Sequence, residues 1–268
     1  MIIDFHTHVF PDKIANKTID FLSKKGGVPA FSDGTVNGLL TRMEQAGVDI
    51  CVTLPVITNP AQFDTVNRFA ADINREFADK KRRLISFAGI HPDCEDIDCK
   101  MSFIANSGFR GVKIHPDYQD RYINDERYIR ILQCAAENDL IVVTHAGVDI
   151  AYSEVHCPPK LAIEAIKRVP NVKLVLAHLG GAADTFDETM RLLGGENVYF
   201  DTAYVLRFIN ESQFKTMLEA HSEDKILFAS DSPWSDIKND VDILRSFDIS
   251  DLAKEKIFYE NAKALLKL

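Results

Sequence analysis

Cysteine and long apolar runs are both scarce in this sequence, and each scarcity excludes a class of protein. The 268 residues include only five cysteines. Their odd number, low density and lack of paired CxxC spacing exclude a disulfide-built scaffold and indicate free thiols in a reducing compartment. No run approaches the ~18 apolar residues that a membrane span needs. No basic segment followed by an apolar stretch opens the chain, so we expect no signal peptide, no membrane partner and a cytoplasmic protein.

Positively charged residues are also fewer than negatively charged ones. The chain has 31 Lys and Arg against 40 Asp and Glu, a formal net charge of −9. This balance opposes non-specific binding to nucleic acid, which requires a basic surface. The hydrophobic fraction of 46% and the charged fraction of 26% are ordinary for a globular enzyme. We therefore expect a small-molecule substrate and no nucleic-acid partner. The oligomeric state stays open, with a homo-oligomer as one alternative.

Short apolar runs rich in β-branched residues recur along the chain, with helical patterns between them. Their nearly continuous apolar character is typical of parallel strands that are buried on both faces. Alternation of strand and helix eight times in a chain of this length predicts a single (β/α)₈ barrel domain, of the α/β class, over residues 1–268. The runs are 2–6, 50–55, 84–90, 111–115, 140–145, 172–178, 198–203 and 226–231.

A doubly wound open sheet is the rival architecture. Such a sheet usually carries a Gly-rich phosphate loop after its first strand, and this chain has DFHTH there instead. The first connection, residues 10–49, is the longest one between strands. Its stretch KKGGVPAFSDG is predicted to be a lid or a loop that lines the barrel mouth.

Histidines gather where the predicted strands end. The carboxyl ends of barrel strands open on one face, so side chains far apart in sequence converge there. Single buried histidines can also cap strands for structural reasons, but the joint pattern favours convergence. His221, between a helix and a strand, is interpreted as a surface residue. The strand-end residues are His6, His8, His91, His115, His145 and His178, with Asp201 near the end of the seventh strand and Asp231 at the end of the eighth.

Imidazoles with a carboxylate and no thiol suit a divalent metal ion. His6 and His8, at i and i+2 of one strand, share a face and can converge on one ion. We expect one ion, with Zn²⁺ first and Mn²⁺ or Fe²⁺ as alternatives. A water bound to such an ion loses a proton near neutral pH. Asp231 is then a candidate proton acceptor, and His178 is a candidate for polarising the substrate or moving a proton.

Other polar and aromatic residues near the strand ends are candidates for the pocket. Lys113 precedes His115 by two residues and is interpreted as an interior charge or a substrate contact, with a carboxylated lysine bridging two ions as the alternative. The predicted substrate-binding residues are His91, His115, Tyr118 and Trp234, with Arg42, His156 and Cys157 as further candidates.

The motifs DFHTHVFP, GVKIHP, VVTHAG, LAHLGG and FASDSPW resemble, in this order, the amidohydrolase superfamily and its amidohydrolase 2 branch. The closing IFYENAKALL is similar as well, so the resemblance covers residues 4–266. It implies a distorted TIM (β/α)₈ barrel. It also implies His6, His8, His145 and Asp231 as metal ligands, and His178 as a catalytic base, a polarising residue or a ligand of a second ion.

A second resemblance is weaker. GIHPD is similar to TatD-like metal-dependent nucleases, which place a Glu at the end of strand four. This chain has Lys113, Ile114 and His115 at that position, and its negative charge also opposes a nuclease.

Three functions remain after these arguments. The first is a metal-dependent hydrolase of a small amide, ester or lactone that uses a metal-activated water. The alternative is a metal-dependent, non-oxidative decarboxylase of an aromatic or unsaturated carboxylic acid. The decarboxylases of the branch tend to be longer chains, which favours hydrolysis. A non-catalytic barrel is the third, and the complete ligand set argues against it.

Overall fold

The computed structural model describes all residues, 1–268, as strands that alternate with helices. Each predicted run contains a strand, and the third run is interrupted at Phe87, so that it forms two strands. The strands are β1 Ile3–Thr7, β2 Ile50–Thr53, β3 Arg83–Ser86, β4 Ala88–Gly89, β5 Gly111–Ile114, β6 Ile141–Thr144, β7 Lys173–Leu176, β8 Tyr199–Asp201 and β9 Ile226–Leu227.

The strands close into a barrel. The hydrogen-bonded orders are β1-β2-β3 and β4-β5-β6-β7-β8-β9, and all pairs are parallel. The chain itself connects the two groups through Phe87. On the other side, Phe5 donates its backbone N–H to the Phe228 carbonyl at 2.9 Å, and Asp231 donates to His6 at 2.9 Å. The predicted distorted TIM barrel is therefore confirmed.

Two asparagines of one helix explain the interruption of the third strand. Asn74 accepts the Ser86 N–H at 2.7 Å and donates to its carbonyl at 2.8 Å. Asn67 does the same for Gly89, at 2.8 and 3.0 Å. Since buried peptide groups need partners, these side-chain amides replace the sheet bonds that the irregular strand cannot make.

The helices surround the strands. Asn59 caps a short 3₁₀ turn, Pro60–Gln62, that leads into α3, and Ser250 caps α10. In both cases the cap side chain accepts a backbone N–H of the first turn. The helices are α1 Asp12–Gly26, α2 Val36–Ala46, α3 Phe63–Glu76, α4 Ile97–Asn106, α5 Glu126–Glu137, α6 Pro159–Arg168, α7 Ala177–Leu193, α8 Glu211–His221, α9 Ile237–Ser246, α10 Asp251–Glu255 and α11 Asn261–Leu266. None of them combines the length and apolar character needed to cross a membrane.

The hydrophobic residues form two clusters. The larger one, of 57 buried residues, lies between the strands and the helices. The smaller one fills the barrel with side chains such as Phe5, Val52 and Phe87, and includes Leu265 of α11. Phe87 lies over Gly111, where a Cβ atom would come within 2.5 Å of its ring. Both faces of each strand are buried, and for this reason the strands have nearly continuous apolar sequences.

The predicted mouth-lining loop follows α1. Phe31 in this loop donates its backbone N–H to the Pro233 carbonyl at 2.7 Å. Pro233 lies two residues after Asp231, so the loop is held against the carboxyl end of the barrel.

The interpretation of His221 as a surface residue is wrong. Its side chain is buried, with 2% of the residue exposed. The ring stacks on Phe200 at 4.1 Å, and Nε2 lies 2.9 Å from the Val198 carbonyl. With only Nε2 hydrogen-bonded, the imidazole packs here as an aromatic ring would, and the sequence position of a polar residue does not indicate this.

Replacing Asn67 with Ala should destabilise the fold. The change leaves the Gly89 N–H and carbonyl buried without partners, and each such group costs about 1–3 kcal/mol. We expect a loss of about 2–5 kcal/mol in the free energy of unfolding, measured by urea denaturation. Asn239→Ala, at an exposed position of α9, is the control and should change stability by less than ~0.5 kcal/mol. Equal stability of the two variants would contradict this account.

Candidate metal centre

A β-bulge in β1 directs His6, within the strand, and His8, just beyond it, into the barrel. The register against β2 moves by one residue, from the pair Asp4–Cys51 to the pair Thr7–Thr53. An extra residue in one strand breaks the alternation of faces. Two adjacent residues, Phe5 and His6, can therefore both point into the barrel. Phe5 belongs to the smaller hydrophobic cluster, and His6 contacts the buried polar residues described below.

Three donor atoms converge at the end of β1. The Nε2 atoms of His6 and His8 lie 3.2 Å apart. Asp231 Oδ1 lies 3.1 Å from His8 Nε2 and 3.5 Å from His6 Nε2. The two rings meet at 71°, so lone pairs in their planes can point at a common centre. These three residues form a group that could hold a metal ion.

The opposite nitrogens of both rings are engaged by acceptors. His6 Nδ1 lies 2.9 Å from Asp201 Oδ2, and His8 Nδ1 lies 2.8 Å from the Leu54 carbonyl. Each Nδ1 must therefore carry the proton, and each Nε2 has a lone pair. Two lone pairs at 3.2 Å repel each other unless a cation lies between them. This donor set fits a divalent ion, whose histidine ligands typically donate their other N–H to a carboxylate or a carbonyl.

A second pair of ring nitrogens lies at the ends of β6 and β7. His145 Nδ1 and His178 Nε2 are 3.0 Å apart, and the rings meet at 60°. His178 Nδ1 lies 2.8 Å from the Ala203 carbonyl, so its Nε2 is also an acceptor.

Glycines allow this second pair to form. The backbones of Gly147 and Gly181 touch, and a Cβ on Gly147 would lie 2.4 Å from the Gly181 Cα. His178 itself has a φ of 58°, at the start of a left-handed run that continues to Gly181. Such backbone strain in a non-glycine residue is typical of functional sites. The motifs VVTHAG and LAHLGG are thus explained by the close approach of two loops.

The only cation among these buried groups is Lys113. Its Nζ lies 3.2 Å from His6 Nε2, and the residue is 1% exposed. Burial lowers the pKa of Lys113 to about 8, opposed by the nearby charges of Asp201 and Asp231.

Two of these histidines, His6 and His145, are held in their neutral form. Burial, with the charge of Lys113 next, lowers the pKa of His6 well below its usual range. Burial and the neighbouring His115 do the same for His145. Burial raises the pKa of Asp231, but the 3.1 Å contact with His8 Nε2 and the other nearby imidazoles bring it below the ordinary value. Neutral imidazoles and an ionised carboxylate are the forms that bind metal.

Aromatic rings extend from His145 toward the barrel mouth. His115 stacks on His145 at 4.3 Å and on Tyr118 at 4.0 Å, and Tyr152 follows at 5.2 Å from Tyr118. Donor atoms of His115, His145 and Asp149 also lie within 4.8 Å of one another. However, the two imidazole planes are within 9° of parallel. Their lone pairs therefore do not converge, and we interpret these four rings, His145, His115, Tyr118 and Tyr152, as an aromatic wall.

The other predicted pocket residues have different positions. Trp234 is half-buried and donates its backbone N–H to the Asp231 carbonyl at 2.8 Å. The contacts of His91 lie elsewhere, since its Nδ1 accepts the Asp93 N–H at 3.1 Å. Cys157 is fully buried. Arg42 lies on α2, where its side chain bonds to Gln45.

Sequence reasoning assigned no role to two carboxylates behind the histidines. Asp201 accepts from His6, from the His178 N–H at 3.0 Å and from the Ala203 N–H at 3.1 Å. Its place at a strand end was the available signal. Asp117 lies in the turn after β5, where nothing in the sequence distinguishes it from an ordinary turn carboxylate.

Comparisons with known proteins agree with this architecture. A family model described as Amidohydrolase (Amidohydro_2) matches residues 3–268. No curated protein matches the chain.

Solved structures share the fold at low sequence identity. A 2,6-dihydroxybenzoate decarboxylase from Rhizobium is 15% identical with a TM-score of 0.73, covering 99% of this chain and 98% of that one. A 5-carboxyvanillate decarboxylase from Novosphingobium aromaticivorans, with bound manganese, is 15% identical with a TM-score of 0.77, covering 100% and 97%.

A third solved structure, described as an amidohydrolase II, is 17% identical with a TM-score of 0.77. The match covers 100% of this chain and 100% of that one. Each of these likenesses concerns the fold. The family model spans nearly the whole chain, and the chain belongs to the amidohydrolase family.

Proposed function

We propose that the protein is a metal-dependent lyase that removes CO₂ from a small aromatic or unsaturated carboxylic acid. The observation that carries this proposal is the aromatic wall beside the convergent His6, His8 and Asp231. A planar acid can stack along the wall with its polar groups toward these donors. The resemblance to two decarboxylases supports the same reaction. Both are covered over nearly their full length, so chain length no longer favours hydrolysis.

We propose His6, His8 and Asp231 as ligands of one divalent ion, with His145 as the fourth predicted ligand. Mixed imidazole and carboxylate donors accept both Zn²⁺ and Mn²⁺. The sequence favoured Zn²⁺. The manganese bound in the 5-carboxyvanillate decarboxylase makes Mn²⁺ an equally good candidate. The bound ion would supply positive charge that orients the substrate and stabilises its developing negative charge.

The chain's own acids and bases would carry the proton. When the bond between the ring carbon and the carboxylate breaks, its electron pair stays on the carbon and CO₂ leaves. One proton must then reach that carbon. We propose that Asp231 delivers it from solvent, with His178 completing the path. His178 is suited to this task because its Nδ1 is tied to the Ala203 carbonyl, which leaves Nε2 free to accept and release a proton.

Hydrolysis of an amide, ester or lactone is the second candidate, and a separate observation favours it. The His145–His178 pair offers two more convergent nitrogens, and Lys113 lies next to His6. A carboxylated Lys113 would bring a bridging ligand for two ions. In this reaction Asp231 would take a proton from the attacking water and pass it to the leaving group.

The first test concerns the metal. Protein purified without chelator or affinity metal should contain about one equivalent of a divalent ion, counted by elemental analysis. His8→Ala should lose most of it, because one of three convergent donors is removed. His91→Gln is the matched control and should retain the ion, since its contacts lie with Asp93. About two equivalents would favour the hydrolase, and none after reconstitution would remove the basis of both candidates.

The second test separates the reactions. Turnover of a hydroxylated aromatic acid in D₂O should release CO₂ and leave one deuterium on the carbon that carried the carboxylate. Turnover in H₂¹⁸O should leave no label in the aromatic product. Incorporation of ¹⁸O into the product of an amide, ester or lactone, without release of CO₂, would instead identify a hydrolase.

The third test concerns Asp231. Asp231→Asn should lower kcat on the identified substrate by about 100-fold or more, which is the usual contribution of acid–base catalysis. Metal content should be measured in parallel, because the carboxylate is also a proposed ligand. Substantial turnover in this variant would exclude the proton-transfer role.

A further inference from the structure

A buried carboxylate lies against the far side of His145. The Oδ2 atom of Asp117 is 3.6 Å from His145 Nε2, while Nδ1 of the same ring faces His178. The side chain of Asp117 has no exposed surface. Neither Asp117 Oδ2 nor His145 Nε2 has a hydrogen-bond partner. Two buried polar atoms that face each other without partners call for an explanation, since such atoms are costly.

The other oxygen of Asp117 is firmly held. Oδ1 accepts the backbone N–H of His156 at 2.9 Å and lies 3.0 Å from His156 Nδ1. His156 belongs to the connection between β6 and α6, which is also tied to the end of β6 by the bond from the Gly147 N–H to the Cys157 carbonyl at 3.0 Å. With Oδ1 committed, Oδ2 remains directed at His145.

A neutral His145 has one ring proton and two places for it. A proton on Nδ1 makes the 3.0 Å bond to His178 Nε2, but leaves the Nε2 lone pair facing a carboxylate. A proton on Nε2 allows a charge-assisted hydrogen bond to Asp117 once the two atoms approach from the observed 3.6 Å. It also leaves two lone pairs, on His145 Nδ1 and His178 Nε2, pointing at each other. The second state is stable only when a cation lies near those lone pairs.

We propose that Asp117 is a positioning residue that makes His145 change tautomer when the metal ion binds. Without the ion the proton lies on Nδ1 and is shared with His178. With the ion it lies on Nε2 and is donated to Asp117, which frees the Nδ1 lone pair. No proton enters or leaves in this change; one N–H breaks and another forms on the same ring. The proposal rests on the metal site proposed above and not on which reaction that site performs.

The tautomer can be read directly by NMR. Long-range ¹H–¹⁵N spectra of protein with ¹⁵N-labelled histidine distinguish Nδ1–H from Nε2–H, and His145→Gln identifies the signal. We expect the Nδ1–H form in metal-free protein and the Nε2–H form after loading with Zn²⁺, which is diamagnetic. The Nδ1–H form in Zn²⁺-loaded protein, or the Nε2–H form already in metal-free protein, would overturn the switch.

Metal affinity gives an independent readout. Asp117→Asn removes the charged acceptor with little change of shape and should weaken Zn²⁺ binding about 10–100-fold, the usual effect of losing such a partner. Asp149→Asn is the matched control, because it removes a carboxylate near His115 that makes no hydrogen bond to His145. It should change the affinity by less than about three-fold. If both variants weaken Zn²⁺ binding equally, the contribution of Asp117 is only that of a nearby negative charge. That result would overturn the proposal.

The outcomes separate this proposal from the proposed function. If the wild-type protein binds neither Zn²⁺ nor Mn²⁺, both the metal site and the switch are wrong. If it binds Zn²⁺ and the His145 tautomer does not change, only the switch is wrong. Should Asp117→Asn fail to fold, the NMR comparison on the wild-type protein still decides.

Discussion

Closure of the barrel and assembly of the candidate metal centre depend on the same contact. The strand that carries His6 is joined to the segment that carries Asp231 by a backbone bond from the Asp231 N–H to the His6 carbonyl, at 2.9 Å. A second bond, from the His8 N–H to the Ser232 carbonyl at 2.7 Å, continues the pairing. Further along the same edge, the Phe5 N–H donates to the Phe228 carbonyl at 2.9 Å. A change that opens the barrel there would also separate the three convergent donor atoms.

Acceptors behind the rings determine what the histidines can do. Asp201 and the Leu54 carbonyl fix the protons of His6 and His8 on Nδ1, and the Ala203 carbonyl does so for His178. The lone pairs that result point into one region, with Lys113 as the only buried cation beside them. Nearby positive charge stabilises a cluster of lone pairs of this kind. The fold therefore supplies, before any ligand arrives, the polarity that a divalent ion requires.

The two candidate reactions differ in how the pocket would use one common set of groups. Decarboxylation needs a flat surface for the substrate and one proton for a carbon atom. Hydrolysis needs a water held near a carbonyl. The stacked rings of His115 and Tyr118 favour the first, and the His145–His178 pair permits the second. Since a fold does not by itself determine a reaction, only the chemistry of the pocket separates them.

The sequence by itself determined the repeating strands and the residues at their ends, because parallel strands buried on both faces give uninterrupted apolar runs. From these, the barrel and the grouping of His6 and His8 with Asp231 could be predicted, since the fold brings all carboxyl ends of strands to one face. Only the tertiary structure decided which nitrogen of each ring faces inward, that His221 is buried, and that Asp117 lies behind His145. These depend on contacts between residues 23 to 195 positions apart, and on a one-residue bulge in β1. Neither the secondary-structure propensity of a segment nor the spacing of its hydrophobic residues carries information about such contacts.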